Sequence, residues 1–278
     1  MAAAAVAVPD AGVGLGPQAA ALRQAAGVAG TGHQSWHGAS ILGALLRSGG
    51  LGPGLELPMP EAPELEVPEA PGRRRRRPAA ARRHVLELGA GCGALAMELA
   101  QGGFASVVTA TDGEPSVVRN MKYNVQANKL GHAVRCRSWD WSQEPPKDLD
   151  LSAVDLCIGS DLVYYSRPHA DLAAVLSRVL KAPRAEGRAP VRVLLLLTIR
   201  AAEDLGGGRV VHRVSAEGYP GSSVERFVEE ELPEQLLRAE RLQIPAEVFH
   251  NCLDPRSRAE FENEDAREAS AFYEVFLR

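Results

Sequence analysis

From residue 84 onward, short apolar segments alternate with segments of helical periodicity. Segments typical of strands occupy residues 85–88, 107–111, 133–137, 154–159 and 191–199, and most of them are apolar runs. Helical spacing of apolar positions fills the intervals at 95–99, 117–128 and 168–180. This alternation predicts a doubly wound α/β sheet with helices on both faces. The run at 191–199 is apolar at consecutive positions, which is typical of a central parallel strand.

The pattern is less regular at the two ends of the chain. After the fifth strand it predicts a loop at 201–222, a helix at 224–238 and two closing strands at 243–249 and 271–277. Upstream, residues 1–30 are rich in Ala and Gly and predict a disordered tail. Residues 31–50 predict a short helix, and residues 51–83 predict a low-complexity linker, acidic first and then Arg-rich. The folded domain is predicted to span 84–278.

The net charge of −4 conceals two parts of opposite sign. Seven of the 31 basic residues lie within residues 73–83, which leaves 24 bases against 35 acids elsewhere. The acidic body suits a basic, lysine-bearing partner through electrostatic steering. It does not favour nucleic-acid binding by the core. The Arg-rich segment has three open interpretations: a solvated linker, a nuclear localisation signal or a nucleic-acid contact.

Cysteine usage and hydropathy indicate which metal sites, redox compartment and membrane association to expect. The four cysteines are scattered, with none of the spacings of a metal site, so we predict no metal and a reducing compartment. The longest pure apolar run, at 193–197, is far shorter than the ~20 residues that span a bilayer. We therefore expect no membrane association, a monomer and a cytoplasmic location, with the nucleus open through the Arg-rich segment.

The first strand leads into a glycine-rich turn, Glu87-Leu88-Gly89-Ala90-Gly91-Cys92-Gly93. Glycines at a strand-to-helix turn allow the backbone to approach a nucleotide closely. Gly89, Gly91 and Ala94 also satisfy a degenerate dinucleotide fingerprint. A tight turn without a ligand remains the alternative.

Two acidic residues give the turn its candidate chemistry. Asp112 ends the second strand, 19 residues after Gly93, where a carboxylate can accept hydrogen bonds from both ribose hydroxyls. The alternative role for Asp112 is to cap the next helix. Glu87 lies in an apolar strand, and a buried carboxylate needs a partner. The ammonium group of an amino-acid moiety would supply one, whereas a dinucleotide would not.

Further candidates follow the third and fourth strands. Trp139 lies where the adenine pocket of such a sheet is expected, with simple packing an equal alternative. Asp161 and Tyr164 come at the carboxyl end of the fourth strand, the edge at which open α/β sheets bind ligands. Ser160 would place backbone beside an adenosine, and Asp161 and Tyr164 would face the transfer site. Helix capping for Asp161 and wall packing for Tyr164 are the competing interpretations.

Taken together, these residues resemble the seven-β-strand S-adenosylmethionine methyltransferases. More narrowly, the chain resembles the methyltransferase-16-like group of protein lysine methyltransferases, which is marked by Asp-x-x-Tyr after the fourth strand. Here that motif reads Asp161-Leu162-Val163-Tyr164. A helix beginning at Trp36, the Asn-x-x-x-Asn pattern at 124–128, Arg200 and the segment 272–274 also look similar.

The resemblance implies a Rossmann-like seven-stranded sheet, mostly parallel with its last strand antiparallel, and methyl transfer to a protein lysine. It implies that S-adenosylmethionine is the cofactor. Together with the turn itself, it assigns cofactor contacts to nine residues: Trp36, Glu87, Gly89, Ala90, Gly91, Gly93, Asp112, Trp139 and Ser160. Asp161 would orient the lysine ammonium, and Tyr164 would line the methyl channel.

The sequence departs from the group in three places, and further functions stay open. The link before the first strand is long, the loop at 201–222 is expanded, and Asp140 follows Trp139 where glycine is common. An NAD oxidoreductase explains the glycines and Asp112 but leaves Trp36, Glu87 and the Asp-x-x-Tyr motif without a role. Methylation of a protein histidine or of a small molecule is also compatible with these residues, as is a non-catalytic scaffold.

Overall fold

The computed structural model describes residues 37–48, 83–163, 169–204, 210–214, 222–246, 248 and 269–278. Several predicted features lie outside these ranges. They are the tail at 1–30, the linker apart from Arg83, and the two candidate site residues Trp36 and Tyr164.

Nine strands are present in the described ranges: β1 (His84–Leu88), β2 (Val107–Asp112), β3 (Val134–Ser138), β4 (Leu156–Ser160), β5 (Arg192–Thr198), β6 (Arg200–Asp204), β7 (Val210–Val214), β8 (Leu237–Leu242) and β9 (Ser270–Leu277). Seven of them form one sheet in the order β3-β2-β1-β4-β5-β9-β8. Strands β1 to β5 pair in parallel, and β9 is antiparallel to both of its neighbours. The predicted seven-stranded sheet with an antiparallel last strand is therefore confirmed.

The helices are α1 (His37–Ser48), α2 (Ala94–Gln101), α3 (Pro115–Ala127), α4 (Ala170–Lys181), α5 (Ser223–Arg226) and α6 (Leu232–Glu234), with a π-helical turn at Phe227–Glu231 joining the last two. Helices α1 to α3 cover one face of the sheet, and α4 with the α5–α6 segment covers the other. Strand β5 contributes side chains to the hydrophobic core on each face of the sheet. Leu194 and Leu196 lie on the first face, and Val193, Leu195 and Leu197 lie on the second. No helix in the described ranges is long and apolar enough to cross a membrane.

Three predictions for the C-terminal third are wrong. The predicted loop at 201–222 contains the β6–β7 hairpin, which pairs antiparallel and forms a separate two-stranded sheet. The predicted helix at 224–238 ends at Glu234, where the chain turns through Leu236 with a φ of 60°. The first closing strand is Leu237–Leu242, and residues 243–245 after it belong to no strand.

Arg83 belongs to the folded domain and not to the linker in which the charge pattern placed it. Its side chain is buried, with the guanidinium 4.3 Å from the centre of the Phe104 ring. Its carbonyl accepts hydrogen bonds from Ser106 and Val107, so it extends the contact between β1 and the start of β2. Only six of the seven bases at 73–83 therefore belong to the linker.

Helix α1 approaches α2 and the sheet closely. Its apolar stripe of Ile41, Leu42, Leu45 and Leu46 is fully buried. A Cβ atom at Gly43 would lie 2.8 Å from the Glu98 carboxylate, so any larger residue would have to displace the end of the Glu98 side chain. The same carboxylate forms an ion pair with Arg47. The sequence correctly predicted this helix, and its far end fixes the position of Gly38 at the sheet edge.

Candidate functional site

The glycine-rich turn lies where β1 passes into α2. Gly89, Gly91 and Gly93 have φ values of 58°, 55° and 82°, which residues with a Cβ rarely adopt. The turn is held on two sides: Ala90 N donates to Thr111 O at 2.8 Å, and the buried Asn124 side chain donates to Cys92 O at 2.9 Å. The turn is thus rigidly supported by β2 and α3.

Glu87 is a carboxyl group enclosed in an apolar layer. Its register neighbours are Ala110 and Ile158, and the residue is 2% exposed. Among the described residues, Oε2 of Glu87 has no hydrogen-bond partner. Burial raises the pKa of Glu87 to about 8, a backbone hydrogen bond from Ala96 opposes the rise, and the charge of Asp112 adds to it. The group is therefore poised to receive a cation.

Asp112 joins the glycine turn to the start of α3. One carboxylate oxygen accepts from Gly91 N at 3.1 Å and the other from Glu114 N at 3.0 Å. The cap of α3 is Glu114, whose side chain accepts from Ser116 N, so the alternative of Asp112 as the cap is wrong. Asp112 therefore links the glycine turn to α3 through both of its carboxylate oxygens.

Leu162 packs against both the glycine turn and the end of β4. A Cβ atom at Gly89 would lie 2.4 Å from Cδ2 of Leu162, and one at Gly159 would lie 2.4 Å from Cδ1. Leu162 is 5% exposed, so its side chain fills the space above two glycines on adjacent strands. This contact sets the position of the Asp161–Leu162 peptide relative to the turn.

Replacing Gly159 with alanine is expected to lower the free energy of unfolding by about 1–3 kcal/mol, because the new methyl group overpacks against Leu162 and Leu195. Urea denaturation measures the change. Gly131→Ala is the control, since a Cβ there meets nothing within 4 Å. It should change stability by no more than about 0.5 kcal/mol. Equal effects of the two substitutions would contradict the packing described for Leu162.

Asp161 and Ser160 lie at the carboxyl end of β4, under the first turn of α1. Asp161 has a φ of 54°, and its N–H donates to Leu196 O at 2.8 Å. A Cβ at Gly38 would lie 3.4 Å from Oδ2 of Asp161 and 3.5 Å from Cβ of Ser160. The carboxylate is therefore held in a narrow space between β4 and α1, in a backbone conformation that Asp tolerates better than most residues.

The two tryptophans after β3 occupy different environments. Trp139 is 2% exposed in the core beneath α4, and its indole N–H donates to Gln143 O at 3.2 Å. Trp141 is half-buried, and its ring carbon Cζ2 would lie 3.7 Å from a Cβ at Gly89. Within the described residues, Nε1 of Trp141 has no partner. The packing role that the sequence left open for Trp139 is thus observed, and Trp141 borders the turn.

The structure groups most of the predicted residues at one edge of the sheet. Asp112 accepts a hydrogen bond from Gly91, Asp161 lies 3.4 Å from where a Cβ at Gly38 would be, and Glu87 lies below the turn in the apolar layer. Sequence analysis missed Leu162 and Trp141, although a glycine inside β4 signals a close approach by another group. In the described part of the chain, no three His, Cys, Asp or Glu side chains converge in a metal-binding arrangement.

Comparison with known protein families identifies the kind of protein that carries this site. A family model described as lysine methyltransferase matches residues 23–204, which is well over half of the chain. The chain belongs to this lysine methyltransferase family. The resemblance drawn from the glycine turn, Asp112 and the Asp-x-x-Tyr motif is thereby confirmed.

Within the lysine methyltransferase family, one curated relative is the calmodulin-lysine N-methyltransferase of Arabidopsis thaliana. It is 32% identical over 106 residues, which cover 37% of this chain and 34% of the relative. The alignment therefore spans only about a third of the relative's length.

Two solved structures have a similar chain course. One is an S-adenosylmethionine-dependent methyltransferase from Aquifex aeolicus, with a TM-score of 0.43, 16% identity and coverage of 70% of this chain and 82% of that one. The other is the glycopeptide N-methyltransferase MtfA with S-adenosylhomocysteine, at a TM-score of 0.44, 15% identity and the same coverage. Both TM-scores are below 0.5, so the family assignment rests on the sequence match.

Proposed function

We propose that this protein transfers a methyl group from S-adenosylmethionine to the side-chain nitrogen of a lysine in a protein substrate. Membership of the lysine methyltransferase family supports the reaction. The relative's name, which specifies a lysine of a protein, supports the substrate class. The proposal extends to a protein lysine and not to calmodulin in particular.

The observation that carries the proposal is the buried Glu87 beneath the glycine turn, one of whose carboxyl oxygens has no hydrogen-bond partner among the described residues. Desolvation makes an ionised carboxylate costly unless a cation or hydrogen-bond donors face it. The amino-acid portion of S-adenosylmethionine carries an ammonium group that suits this position. The Asp112 carboxylate, which accepts a hydrogen bond from Gly91 N, suits ribose hydroxyls, and the positive φ values of Gly89, Gly91 and Gly93 give the tight turn that suits a nucleoside. The residues present therefore fit this cofactor.

The protein's part in catalysis is alignment. The bound cofactor supplies an already activated sulfonium methyl group. The lysine must lose a proton from an ordinary pKa near ~10.4 before it attacks, and we assign no general base. Asp161 holds the lysine nitrogen in line by its charge, and the contacts from Leu196 and Gly38 fix its position. Tyr164, outside the described residues, is proposed to line the same channel.

The first test is calorimetric titration of the protein with S-adenosylhomocysteine, with Asp112→Asn as the variant. Loss of the charged acceptor should weaken binding roughly 10- to 100-fold. Asp150→Asn is the matched control, because Asp150 caps a single turn at Leu151–Ala153, at the opposite end of β4. It should bind like the wild type. Absence of heat with the wild type would contradict cofactor use and favour a scaffold.

The second test assigns the acceptor. The protein is incubated with methyl-labelled S-adenosylmethionine and a cell extract, and the labelled residue is mapped by mass spectrometry. A labelled lysine supports the proposal. A labelled histidine or a labelled small molecule would replace lysine methylation with the corresponding reaction.

A further inference from the structure

Strand β3 lies at one end of the sheet order, so one of its edges has no neighbouring strand within the seven-stranded sheet. An open groove of about 300 Å³ runs along this edge between β3 and α3. The buried Val125 and Cys136 are among the residues that line it, as are the polar residues Lys122, Gln126, Arg135 and Arg137. We call Lys122, Arg135 and Arg137 the basic edge.

The charge of this region is opposite to that of the rest of the body. Residues 115–138, which contain α3 and β3, include five basic residues and no acidic one. Elsewhere acids outnumber bases once residues 73–83 are set aside. Lys122 and Arg135 are exposed. Arg137 pairs with Asp148 at 2.6 Å, and Arg135 also interacts with the charge of Asp148, so this one carboxylate offsets part of the positive charge of the basic edge.

The cations stand on both faces of the sheet at this edge. In β3, Val134 and Cys136 are buried against the α3 side, so the alternation of a strand places Arg135 and Arg137 towards the opposite face. Lys122 approaches from α3. A chain that lies along the edge would therefore meet a cation on either flank, an arrangement that favours carboxylate side chains.

We propose that the basic edge docks an acidic segment of the protein substrate. This inference rests on the proposed function, and it names a property of the substrate that family membership leaves open. A protein segment is favoured over nucleic acid for two reasons. The groove is small, at about 300 Å³, and the acidic body around it would repel a phosphate backbone that extends beyond it.

The position of the edge also limits the substrate sequence. Ser138, the last residue of β3, pairs with Asp112, so the groove leads towards the carboxyl end of the sheet. Three strand spacings separate β3 from β4, which is about 14 Å. An extended chain covers about 3.3 Å per residue. The acidic residues are therefore expected at least about four positions away from the lysine that reaches Asp161.

The test uses two dye-labelled peptides with one lysine each. One carries a run of glutamates beginning five positions from the lysine, and the other carries glutamines there. Fluorescence anisotropy with the full chain at low ionic strength measures binding. We expect the glutamate peptide to bind roughly tenfold more tightly than the glutamine peptide, with the preference reduced by added salt.

The double variant Lys122→Gln/Arg135→Gln should lose this preference, and Lys181→Gln, an exposed cation on α4, should keep it. In methyl-transfer assays the double variant should raise KM for the glutamate peptide and leave kcat and the KM for the glutamine peptide unchanged. Stability measured by thermal denaturation should match the wild type.

Four results would overturn the inference: no preference in the wild type, an equal loss in Lys181→Gln, KM values in the transfer assay that the double variant leaves unchanged, or tight oligonucleotide binding that the double variant abolishes, which would assign the edge to nucleic acid. The binding assay needs no methyl transfer. If the peptide preference depends on the basic edge but no lysine is ever methylated, the proposed function fails while the acidic-peptide surface stands.

Discussion

Replacing Glu87 with glutamine is expected to stabilise the ligand-free protein at pH 8 and to weaken its binding of S-adenosylmethionine. Burial raises the pKa of Glu87 from 4.5 to about 8, so the folded state favours the neutral carboxyl. Its contribution to stability is fully present below pH 4.5 and is lost as the pH rises through 8, at about 1.4 kcal/mol per unit. Glutamine is neutral throughout and avoids this loss.

Thermal denaturation from pH 5 to 8 checks the stability effect. The melting temperatures of Glu87→Gln and the wild type should be similar at pH 5 and should diverge as the pH rises. Glu186→Gln, at an exposed position, is the control and should follow the wild type at every pH. A constant difference across the range would show that the effect is packing and not ionisation.

Cofactor binding by the wild type should strengthen as the pH rises, whereas the stability of the ligand-free protein should fall. An ammonium group near Glu87 lowers the pKa of its carboxyl, so binding releases a proton. Between pH 6 and about 8, the affinity should therefore rise up to tenfold per pH unit. Calorimetry in buffers of different ionisation enthalpy measures the released proton, and Glu87→Gln should release none at this site. A pH-independent affinity in the wild type would contradict the pairing of Glu87 with the ammonium.

Replacing Asp161 with asparagine is expected to lower kcat on the order of 100-fold while the affinity for S-adenosylhomocysteine stays unchanged. Asparagine has nearly the same shape as aspartate and tolerates the positive φ of this position, so the substitution removes charge without altering the backbone. Alanine would add backbone strain and obscure the result. Single-turnover measurement of methyl transfer reports the chemical step.

A matched variant separates the charge of Asp161 from its neighbourhood. Asp171→Asn removes an exposed carboxylate from the first turn of α4 and should leave kcat unchanged. Transfer by Asp161→Asn at the wild-type rate would refute the role assigned to this side chain. A parallel loss of S-adenosylhomocysteine binding would make Asp161 a cofactor contact instead.

The parallel half of the fold was predictable because most of its strands are apolar runs, β3 alternates apolar and polar residues, and segments of helical periodicity lie between most of the strands. Strand β5 shows this most clearly, since alternate residues enter both cores. Strand β8 was not predictable in the same way. Its pattern includes charged Arg238, Glu240 and Arg241, and only pairing with β9 makes it a strand. The turn at Leu236 requires a positive φ, and the sequence has neither glycine nor asparagine at this position to indicate it.

The proximity of site residues was predictable where the sheet topology alone brings them together. Parallel strands end at one edge, so the Gly-rich turn, Asp112 and Asp161 were expected to be near each other. Packing of side chains between neighbouring strands leaves no comparable pattern in the sequence. The wedge of Leu162 against Gly89 and Gly159, and the place of Trp141 beside the turn, follow from distances that only the folded chain defines.

The contact between Gly38 and Asp161 joins parts of the chain that are far apart in sequence. Ser48 and Arg83 are separated by 34 residues, so α1 is held at the sheet by its packing and by the Arg47–Glu98 pair rather than by a short connection. In thermodynamic terms α1 is an intramolecular ligand with its own docking equilibrium. Any ligand that requires docked α1 binds with an apparent Kd equal to the intrinsic value divided by the docked fraction. Substitutions at Gly43 or Glu98, remote from Asp161, therefore act on the same equilibrium as the site itself.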